Sequence, residues 1–546
     1  MTVKQLQSVN GERYDTIVDC PRPSLVCIPL LQHQGAPAAV IVSEGQQVDV
    51  GQPLTASENL FEVPVHASIA GSVQSIQSDI IIIVDEGSAE NRSTTEQGDI
   101  TSVARDELTG NDVPIDRLVS TGNNKASNNS DRIDDRCNNW SRARFIEEIH
   151  SAGLVGLGGA CYPVAAKIDK LGEEPADILL INAAECDPAI CCDEALLSSS
   201  ISEIATGICL AQLATKAKRT IIGIESDKTH TGEMLLDLVR EKAESSQTSL
   251  STSKTELSVV PAAYPNGAES LLMSLCSGRT LSAQDIHNSR LITFNVGTCY
   301  ALYRALIDRK PYTHRITTLV DSNLHTVNLS IPLGTPVSSL PGFNPHHIVF
   351  VGGEMMGQPL ARDAVVTKAS SCIQFKSQVP QPVVRPCVRC GLCVDACPVN
   401  LMPQYLLAQA TDANFSNLQK LRLRNCIECT CCDRVCPSHI PLANIFANAK
   451  KAASIDAEAK RQADLAKARF EKRQKRLETS KQREFKKLSK KQSKLSHTAN
   501  GGEQAKRRLV EAALQRARDK KGKQVNATDP TNPQNNNAQA DQGKHH

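Results

Sequence analysis

Two cysteine runs constrain what this chain of 546 residues can fold into more than any other feature. They read Cys387-x2-Cys390-x2-Cys393-x3-Cys397-Pro and Cys426-x2-Cys429-x2-Cys432-x3-Cys436-Pro. This spacing lets three thiolates bind one [4Fe-4S] cluster, while the fourth, followed by a proline, reaches a second cluster. We therefore predict two clusters with crossed ligands, one on Cys387, Cys390, Cys393 and Cys436 and the other on Cys397, Cys426, Cys429 and Cys432.

Zinc and disulfide bonds are the two alternatives for such runs. Zinc sites usually pair CxxC units rather than four-cysteine runs, which favours clusters. Twenty cysteines could indicate a secreted disulfide scaffold, but those outside the runs are scattered, and thiolate ligation requires a reducing compartment. Cys431 lies inside the second run without fitting its spacing, so we expect it to be a small packing residue.

The whole-chain properties exclude few classes of protein. The length allows three or four domains. The net charge of +2 by itself indicates no particular partner. No nucleic acid is expected as a partner. The first residues lack an apolar signal region, and no segment approaches the roughly 20 apolar residues that span a bilayer. We therefore expect a cytoplasmic chain without a membrane span of its own, which leaves attachment through a partner open.

Shifts in composition divide the chain into seven predicted regions. Short apolar runs separated by Gly and Pro indicate an all-β module over 1–85. Alternating strands and helices, with strands at 178–182, 220–225 and 256–261, indicate an α/β domain over 139–312. A β-rich segment follows over 313–374, and the cysteine runs occupy 375–448. The other predicted regions are a polar linker or insertion over 86–138, a basic helical tail over 449–523 and a disordered C-terminus over 524–546.

The predicted tail consists mainly of Lys, Arg, Ala, Gln and Glu, a composition that favours helix. Its apolar positions are sparse, among them Leu465, Phe470, Leu477 and Leu488, and no heptad repeat is sustained. A solvated helix is the simplest interpretation. The alternative is a basic arm that binds an acidic partner or an anionic lipid surface, where each Lys or Arg adds about 1 kcal/mol.

A glycine-rich loop in the α/β domain is a second candidate site. Four glycines, Gly153, Gly156, Gly158 and Gly159, lack Cβ atoms, so backbone N–H groups can approach a phosphate or a flavin ring. The loop does not follow a strand, so it lacks the Rossmann context, and a packed turn is the alternative. Lys167 lies within reach of such a ligand, and the segment INAAECDP over 181–188 places an amide and two carboxylates at the end of a buried strand, where α/β sheets bind ligands.

Several segments, in this order, resemble the C subunit of the Rnf (or Rsx) membrane electron-transport complex. They are GLVGLGGACYP over 153–163, INAAECDP over 181–188, AYPNGAE over 263–269 and NVGT over 295–298. These segments are more distantly similar to the NADH- and flavin-binding subunit of respiratory complex I. PLLQHQGAP over 29–37 and VPVH over 63–66 look like that family's opening module, and GGEMMG over 352–357 looks like the end of its β-grasp segment. The resemblance covers about residues 20–450.

The resemblance implies a multidomain α/β fold. Its parts are an N-terminal β barrel-sandwich module, a complex-I-like FMN- and NADH-binding α/β domain, a β-grasp segment, an α-helical domain with two cubane clusters, and a long basic tail. It also implies FMN in the glycine-loop pocket with NADH stacked over it, and catalytic roles for Lys167 and Glu185. The implied cofactor-binding residues are Gly153, Gly156, Gly158, Gly159, Tyr162, Lys167, Asn182, Glu185, Asp187, Glu269, Asn295 and Thr298.

Three positions depart from the family's pattern. Asp187 stands where the family usually has Glu, Ala189 where it usually has Tyr, and Glu354 where it usually has Pro. The shorter carboxylate of Asp187 is expected to weaken a nucleotide contact. Since the glycines and the cluster ligands are intact, we expect these departures to change affinity more than activity.

The resemblance further implies an electron-entry subunit that passes electrons from NADH to FMN, then through two [4Fe-4S] clusters to partner subunits. In the family those partners are integral membrane subunits and another iron–sulfur subunit at the cytoplasmic face of the bacterial inner membrane. Together they couple exchange between NADH and ferredoxin to ion transport. Two alternatives are a soluble flavin and iron–sulfur reductase of the cobalamin-reductase type, which has no need of the basic tail, and a non-catalytic adaptor, against which the intact glycine loop argues.

Overall fold

The computed structural model describes residues 16–85, 137, 140–245, 254–281, 283–379, 382–497 and 503–525. The chain forms two compact units, 1–453 and 454–546. The linker predicted over 86–138 lies outside the described residues except for residue 137. The disordered terminus predicted over 524–546 also lies outside them, except for residues 524 and 525.

Short antiparallel strands build the β module. The strands of the first 85 residues are β1 Ile17–Asp19, β2 Leu25–Pro29, β3 Ala39–Val40, β4 Gln47–Val48, β5 Thr55–Ala56, β6 Gly71–Ile76 and β7 Ile80–Val84. Strands β2, β7, β6 and β4 form one sheet in that order, and β3 pairs with β5. Alternate side chains of β2, Val26 and Ile28, are buried and pack against Ile81 and Ile83 of β7.

Four parallel strands form the sheet of the α/β domain, in the order β10-β9-β8-β11. They are β8 Ile178–Ala183, β9 Arg219–Glu225, β10 Lys254–Val260 and β11 Leu291–Asn295. The three strands predicted from sequence are confirmed to within two residues, whereas β11 was not predicted. The helices of this domain are α1 Arg142–Ser151, α2 Val164–Asp169, α3 Cys192–Ser199, α4 Ile201–Thr215, α5 Thr229–Ser245, α6 Glu269–Ser277, α7 Ala283–Asn288 and α8 Val296–Leu306.

Because the four strands are parallel, their carboxyl ends meet at one edge of the sheet. The segments 182–187, 263–269 and 295–298 follow β8, β10 and β11 at this edge. Open α/β sheets bind ligands there, since loops and helix N-termini converge at the carboxyl ends. The unpredicted strand β11 therefore completes the edge by placing Asn295 on it.

A six-stranded mixed sheet follows, with strand order β1-β13-β12-β16-β14-β15. Its later strands are β12 His314–Val320, β13 Thr326–Pro332, β14 Ile348–Val351, β15 Gln358–Pro359 and β16 Cys372–Lys376. Strand β1 was predicted to belong to the β module, but it pairs in parallel with β13, with Ile17 opposite Asn328. This correction has a packing reason, because Val18 lies against the core of the six-stranded sheet. Strand β16 also runs two residues past the predicted end of this segment at residue 374.

Short helices surround the cysteine runs. They are α9 Leu392–Asp395, α10 Pro403–Thr411, α11 Phe415–Lys420, α12 Cys431–Arg434 and the first turns of α13 Leu442–His497. Leu406, Leu418 and Phe446 form the centre of their core.

Helix α13 continues into the second unit, where α14 Glu503–Val525 follows. Every side chain described from residue 457 to residue 493 is exposed. Among the described residues, no single helix has the length and apolar character to cross a bilayer. One sharply bent pair, α3 and α4, meets those criteria by length and composition alone.

Candidate functional site

The eight cysteines of the two runs line two small cavities, four in each. One cavity, here called the first cavity, is lined by Cys387, Cys390, Cys393 and Cys436. The second cavity is lined by Cys397, Cys426, Cys429 and Cys432. Each cavity thus draws three cysteines from one run and the fourth from the other, in the grouping that the spacing predicts. Cys431 is buried and is not among the lining residues of either cavity.

The surroundings of these sulfurs fit iron–sulfur clusters. The backbone N–H groups of Arg389, Leu401 and Glu428 donate to the Sγ atoms of Cys387, Cys397 and Cys426 at 3.4, 3.3 and 3.4 Å, respectively. Four thiolates that accept N–H···S bonds, in a largely apolar pocket, are the environment by which proteins hold and tune such clusters. In the first cavity Cys387 and Cys390 are exposed, whereas in the second Cys429 and Cys432 are buried. The first cavity is therefore the more accessible from solvent.

The glycine loop between α1 and α2 opens toward the carboxyl edge of the sheet. Gly158 and Gly159 are exposed, and Gly159 has a φ of +101° with open space where a side chain would stand. Gly156 carries no close contact either, since a Cβ there would lie 3.6 Å from the carbonyl oxygen of Tyr162. A loop with this free backbone surface fits a phosphate or a flattened ring as ligand.

Gly153, also predicted to line this pocket, has a different position. It is buried, and a Cβ on it would lie 2.7 Å from the carbonyl oxygen of Pro64 and 3.2 Å from the ring of His66. Its φ of +73° and this close approach require glycine. Gly153 therefore joins the loop to the β module, and its predicted contact with a cofactor stays a prediction.

Lys167 and Glu269, both predicted site residues, are brought together by the fold. The Nζ atom of Lys167 lies 2.9 Å from Oε1 of Glu269 and 2.8 Å from the carbonyl oxygen of Thr293. Helix α2 supplies the lysine, and the first residue of α6 supplies the carboxylate. Both side chains keep some exposure, so this pair places one cation and one carboxylate at the rim of the sheet edge.

Glu185 lies just after β8 and caps helix α3. Its Oε1 accepts the N–H of Asp193 at 3.1 Å, and its Oε2 accepts the N–H of Glu194 at 3.0 Å. Burial, followed by the nearby charge of Asp193, raises the pKa of Glu185 to about 7. The pKa of Asp193 is raised as well, again chiefly by burial. Two neighbouring carboxylates repel each other, so one carboxyl of such a pair can retain its proton near neutral pH.

Replacing this partly buried acid should change the pH dependence of stability. Because the pKa of Glu185 is raised in the folded chain, this carboxyl binds more protons in the folded than in the unfolded chain between about pH 4.5 and 7. Its contribution to stability therefore falls as pH rises through that window, with a slope approaching 1.4 kcal/mol per pH unit. We expect Glu185→Gln to remove most of this slope in denaturant unfolding measured at pH 5, 6, 7 and 8. Glu174→Gln, at an exposed carboxylate, is the control, and an unchanged slope in Glu185→Gln would contradict the burial argument.

The remaining predicted contacts at this edge make hydrogen bonds within the protein. Asn295 caps α8 by accepting the N–H of Thr298 at 2.9 Å and donates to Asp193 at 3.0 Å. The hydroxyl of Thr298 in turn accepts the N–H of Leu157 at 3.0 Å, which fixes the glycine loop on the N-terminus of α8. Asn182 donates to the carbonyl oxygen of Gly267 at 2.8 Å. Their predicted contacts with a cofactor stay predictions.

Tyr162 lies in the glycine loop and is partly exposed. Its ring meets Phe61 of the β module edge to face, with the centroids 5.8 Å apart. Phe61 is itself an exposed aromatic side chain. This aromatic pair joins the glycine loop to the β module, although only Tyr162 was predicted as a site residue.

Asp187 connects the sheet edge to the segment GGEMMG. Its carboxylate accepts the N–H groups of Ala189, Glu354 and Met355 at 3.0, 2.8 and 3.1 Å. Gly353 lies so close that a Cβ there would overlap the carboxylate. This segment then reaches the second cavity, since Thr430 donates to the carbonyl oxygen of Met355 at 2.8 Å. Asp187 and Glu354, two of the three positions that depart from the family's pattern, thus take part in the same connection between the sheet edge and the second cavity.

Tyr264 makes the second connection to the same cavity. It follows β10 in the segment AYPNGAE, and its hydroxyl donates to the carbonyl oxygen of Cys429 at 2.9 Å. Burial and the nearby thiols raise the pKa of Tyr264, so the phenol stays protonated as a donor. Tyr264 was not predicted as a site residue, although it lies in AYPNGAE, one of the segments that carry the family resemblance.

Lys368 is a junction residue that no motif marks. It is 1% exposed, and its Nζ donates to the carbonyl oxygen of Gly153 at 2.8 Å. Its backbone N–H donates to Oε1 of Gln32 in the β module at 3.1 Å. Burial lowers the pKa of Lys368 to about 8. This side chain ties the glycine loop, the β module and the six-stranded sheet together.

Comparison with known protein families agrees with this arrangement. Residues 7–89 match the RnfC barrel sandwich hybrid domain, residues 149–304 the Nuo51 FMN-binding domain and residues 386–441 a 4Fe-4S dicluster domain. Two parts of the chain therefore match an FMN-binding domain and an iron–sulfur dicluster domain, a combination typical of flavin and iron–sulfur redox proteins. Its curated homologues are C subunits of ion-translocating oxidoreductase complexes, and the resemblance inferred from its motifs is confirmed.

Two of these curated relatives illustrate the similarity. The one from Haemophilus influenzae strain PittEE is 33% identical over 83% of this chain and 65% of its own length. The one from Actinobacillus succinogenes is 35% identical over 83% of this chain and 60% of its own length. The chain thus spans between half and two thirds of the length of such relatives. A solved NAD+-reducing [NiFe]-hydrogenase aligns with a TM-score of 0.40 and 16% identity over 58% of this chain and 62% of its own, too low to support any argument.

Proposed function

We propose that this chain is the electron-entry subunit of a membrane-associated oxidoreductase complex that takes electrons from NADH and couples their transfer to ion translocation. The observation that carries the proposal is the double connection between the sheet edge and the second cavity, through Tyr264 and through Asp187 with the segment 352–357. When bound, FMN accepts electrons in pairs and releases them one at a time. The protein's own residues bind and orient the reactants.

Each part of the site has a task in this proposal. The open backbone of Gly156, Gly158 and Gly159 would hold the flavin, and Lys167 would supply a positive charge to its ring edge or its phosphate. Glu269 orients Lys167 by its ion pair. Glu185, whose pKa is raised to about 7, can hold or release a proton beside the reactants at neutral pH. These are the roles that the residues' charge, position and burial support.

The two cavities give electron transfer a direction. Tyr264 connects the flavin-binding domain to the second cavity, and Thr430 connects the segment 352–357 to it. Cys397, Cys426, Cys429 and Cys432 would therefore hold the cluster nearer to the flavin. Because Cys387 and Cys390 are exposed, a cluster in the first cavity is the exit to a partner. Membrane-integral and iron–sulfur subunits, with a ferredoxin-type acceptor, are the proposed partners at the cytoplasmic face of the inner membrane.

Gly158→Ala tests the flavin site with little cost to the fold. A Cβ at this position would lie 3.9 Å from Cβ of Asn295, an ordinary contact, so the chain should fold and retain its iron. The methyl group removes the open backbone surface, and we expect flavin affinity to fall at least about tenfold. The measurement is anaerobic reconstitution with FMN and iron, followed by NADH titration monitored by absorbance and EPR.

The unchanged chain should bind flavin, which NADH bleaches, and should then show the signals of reduced clusters. Gly45→Asn, at an open position with a φ of +80° in the β module, is the matched control and should behave as the unchanged chain. If the unchanged chain holds iron but neither binds FMN nor accepts electrons from NADH, the proposal fails in favour of a cluster-bearing adaptor. Equal flavin affinity in Gly158→Ala would move the flavin site away from this loop.

A further inference from the structure

The second unit carries an amphipathic basic helix that the redox proposal leaves without a role. Residues 467–493 of helix α13 contain twelve Lys and Arg against three Glu, a net charge of +9. All side chains in this stretch are exposed. At about 1.5 Å per residue the stretch is roughly 40 Å long, which makes it an extended charged rod.

Its large apolar side chains share one face. Phe470, Leu477 and Leu488 are separated by seven and eleven residues, close to two and three full turns, so they project from one side of the helix. Phe485 lies three residues before Leu488 and borders the same strip. Phe470, Phe485 and Leu488 are each more than 60% exposed. Four large exposed apolar side chains along one face argue against a helix that only contacts solvent.

Cations adjoin this apolar strip along its whole length. Arg473 lies three residues after Phe470, Lys481 lies four residues after Leu477, and Lys491 lies three residues after Leu488, so each is a surface neighbour of an apolar side chain. Further cations, among them Lys475 and Lys490, project from the opposite side of the helix. Phe and Leu on one face with Lys and Arg around it are the features of a helix that lies in a membrane interface.

The spacing distinguishes this surface from a coiled-coil seam. A partner helix would require apolar side chains every three or four residues, but positions 474 and 481, which lie on this face between Phe470 and Leu488, are Gln and Lys. A continuous row of cations fits instead a continuous anionic surface, which supplies a headgroup opposite every Lys or Arg. We infer that residues 467–493 form an interfacial helix that binds anionic phospholipid, with the Phe470 to Leu488 strip entering the headgroup region.

The test uses the full chain and vesicles of defined composition. Co-sedimentation should show strong binding to phosphatidylglycerol-containing vesicles, weak binding to phosphatidylcholine vesicles and loss of binding at high salt. The combined variant Phe470→Ser, Leu477→Ser and Leu488→Ser should lower affinity at least about tenfold. Arg473→Gln, Lys481→Gln and Lys491→Gln together should lower it about a hundredfold.

Two controls keep the outcomes distinct. Ile455→Ser changes an exposed apolar side chain before the basic stretch and should bind vesicles normally, and circular dichroism should give equal helix content for all variants. Binding that is equal for both kinds of vesicle, or insensitive to the three serine substitutions, overturns the inference. Binding only to a polyglutamate probe, with none to vesicles, would overturn it too and assign the helix to an acidic protein partner. Vesicle binding does not depend on flavin or NADH, so this test can fail or succeed independently of the proposed redox function.

Discussion

Replacing Cys436 with Ser is expected to remove the cluster held by the other cysteine run. Cys436 belongs to the second run but lines the first cavity with Cys387, Cys390 and Cys393. Loss of one thiolate from a set of four should reduce the iron content from about eight to about four per chain. The remaining cluster is the one beside Tyr264, so NADH should still reduce it in the reconstituted protein. Iron analysis together with EPR of the NADH-reduced sample measures both effects.

Cys397→Ser should give the opposite result. It also halves the iron, but it removes the cluster of the second cavity, which connects to the flavin-binding domain. Reduction of the remaining cluster by NADH should then slow by orders of magnitude. Cys431→Ser is the matched control and should retain both clusters, because Cys431 lines neither cavity. If Cys436→Ser instead abolished the cluster near Tyr264, each run would hold its own cluster and the crossed grouping would be wrong.

Gly207→Ala is expected to cause a large loss of stability from a single methyl group. Gly207 is buried in α4, where a Cβ would overlap the carbonyl oxygen of Cys299 in α8. Backbone cannot move aside as a side chain can, so the two helices must separate. We expect the free energy of unfolding to fall by about 2 to 4 kcal/mol, even after the gain in helix propensity from alanine.

Denaturant unfolding of the flavin-free chain measures this loss. Gly172→Asn is the control, because Gly172 has a φ of +57° and open space around it, a conformation that asparagine adopts at small cost. A second readout is flavin affinity, which should fall because α8 holds the glycine loop through Thr298 and Leu157. An unfolding midpoint equal to that of the unchanged chain would show that α4 and α8 do not pack this closely.

Short-range patterns were sufficient to predict the cysteine cavities and most of the α/β sheet. The crossed grouping follows from spacing within each run, strands β8 and β9 contain the aliphatic runs ILLI and II, and β10 ends in two valines. No strand was predicted over LITFN, the five residues of β11. Strand β11 places Asn295 at the site. Because this strand was not predicted, the site could be predicted only as separate segments.

Features that depend on distant residues could not be predicted. Gly153 was predicted only as part of the cofactor loop, and its contact with Pro64 and His66 in the β module had no signal in the sequence. Lys368 has no local signature, and its partners Gly153 and Gln32 lie far away in the chain. Asp187 accepts three backbone N–H groups, a structural role that its motif did not indicate, while its predicted nucleotide contact stays a prediction. In each case long-range packing, which a sequence pattern does not record, determines the role.

The position of strand β1 has a consequence for synthesis of the chain on the ribosome. Ile17 pairs with Asn328, about 300 residues later, so the first strand waits for its partner while most of the chain is made. At 5 to 20 residues per second this delay is on the order of tens of seconds. The β module and the α/β sheet can complete their own pairings in that interval. Pairing of β1 at the edge of the six-stranded sheet is therefore a late event, and truncated chains that end before β13 should emerge with this strand unpaired.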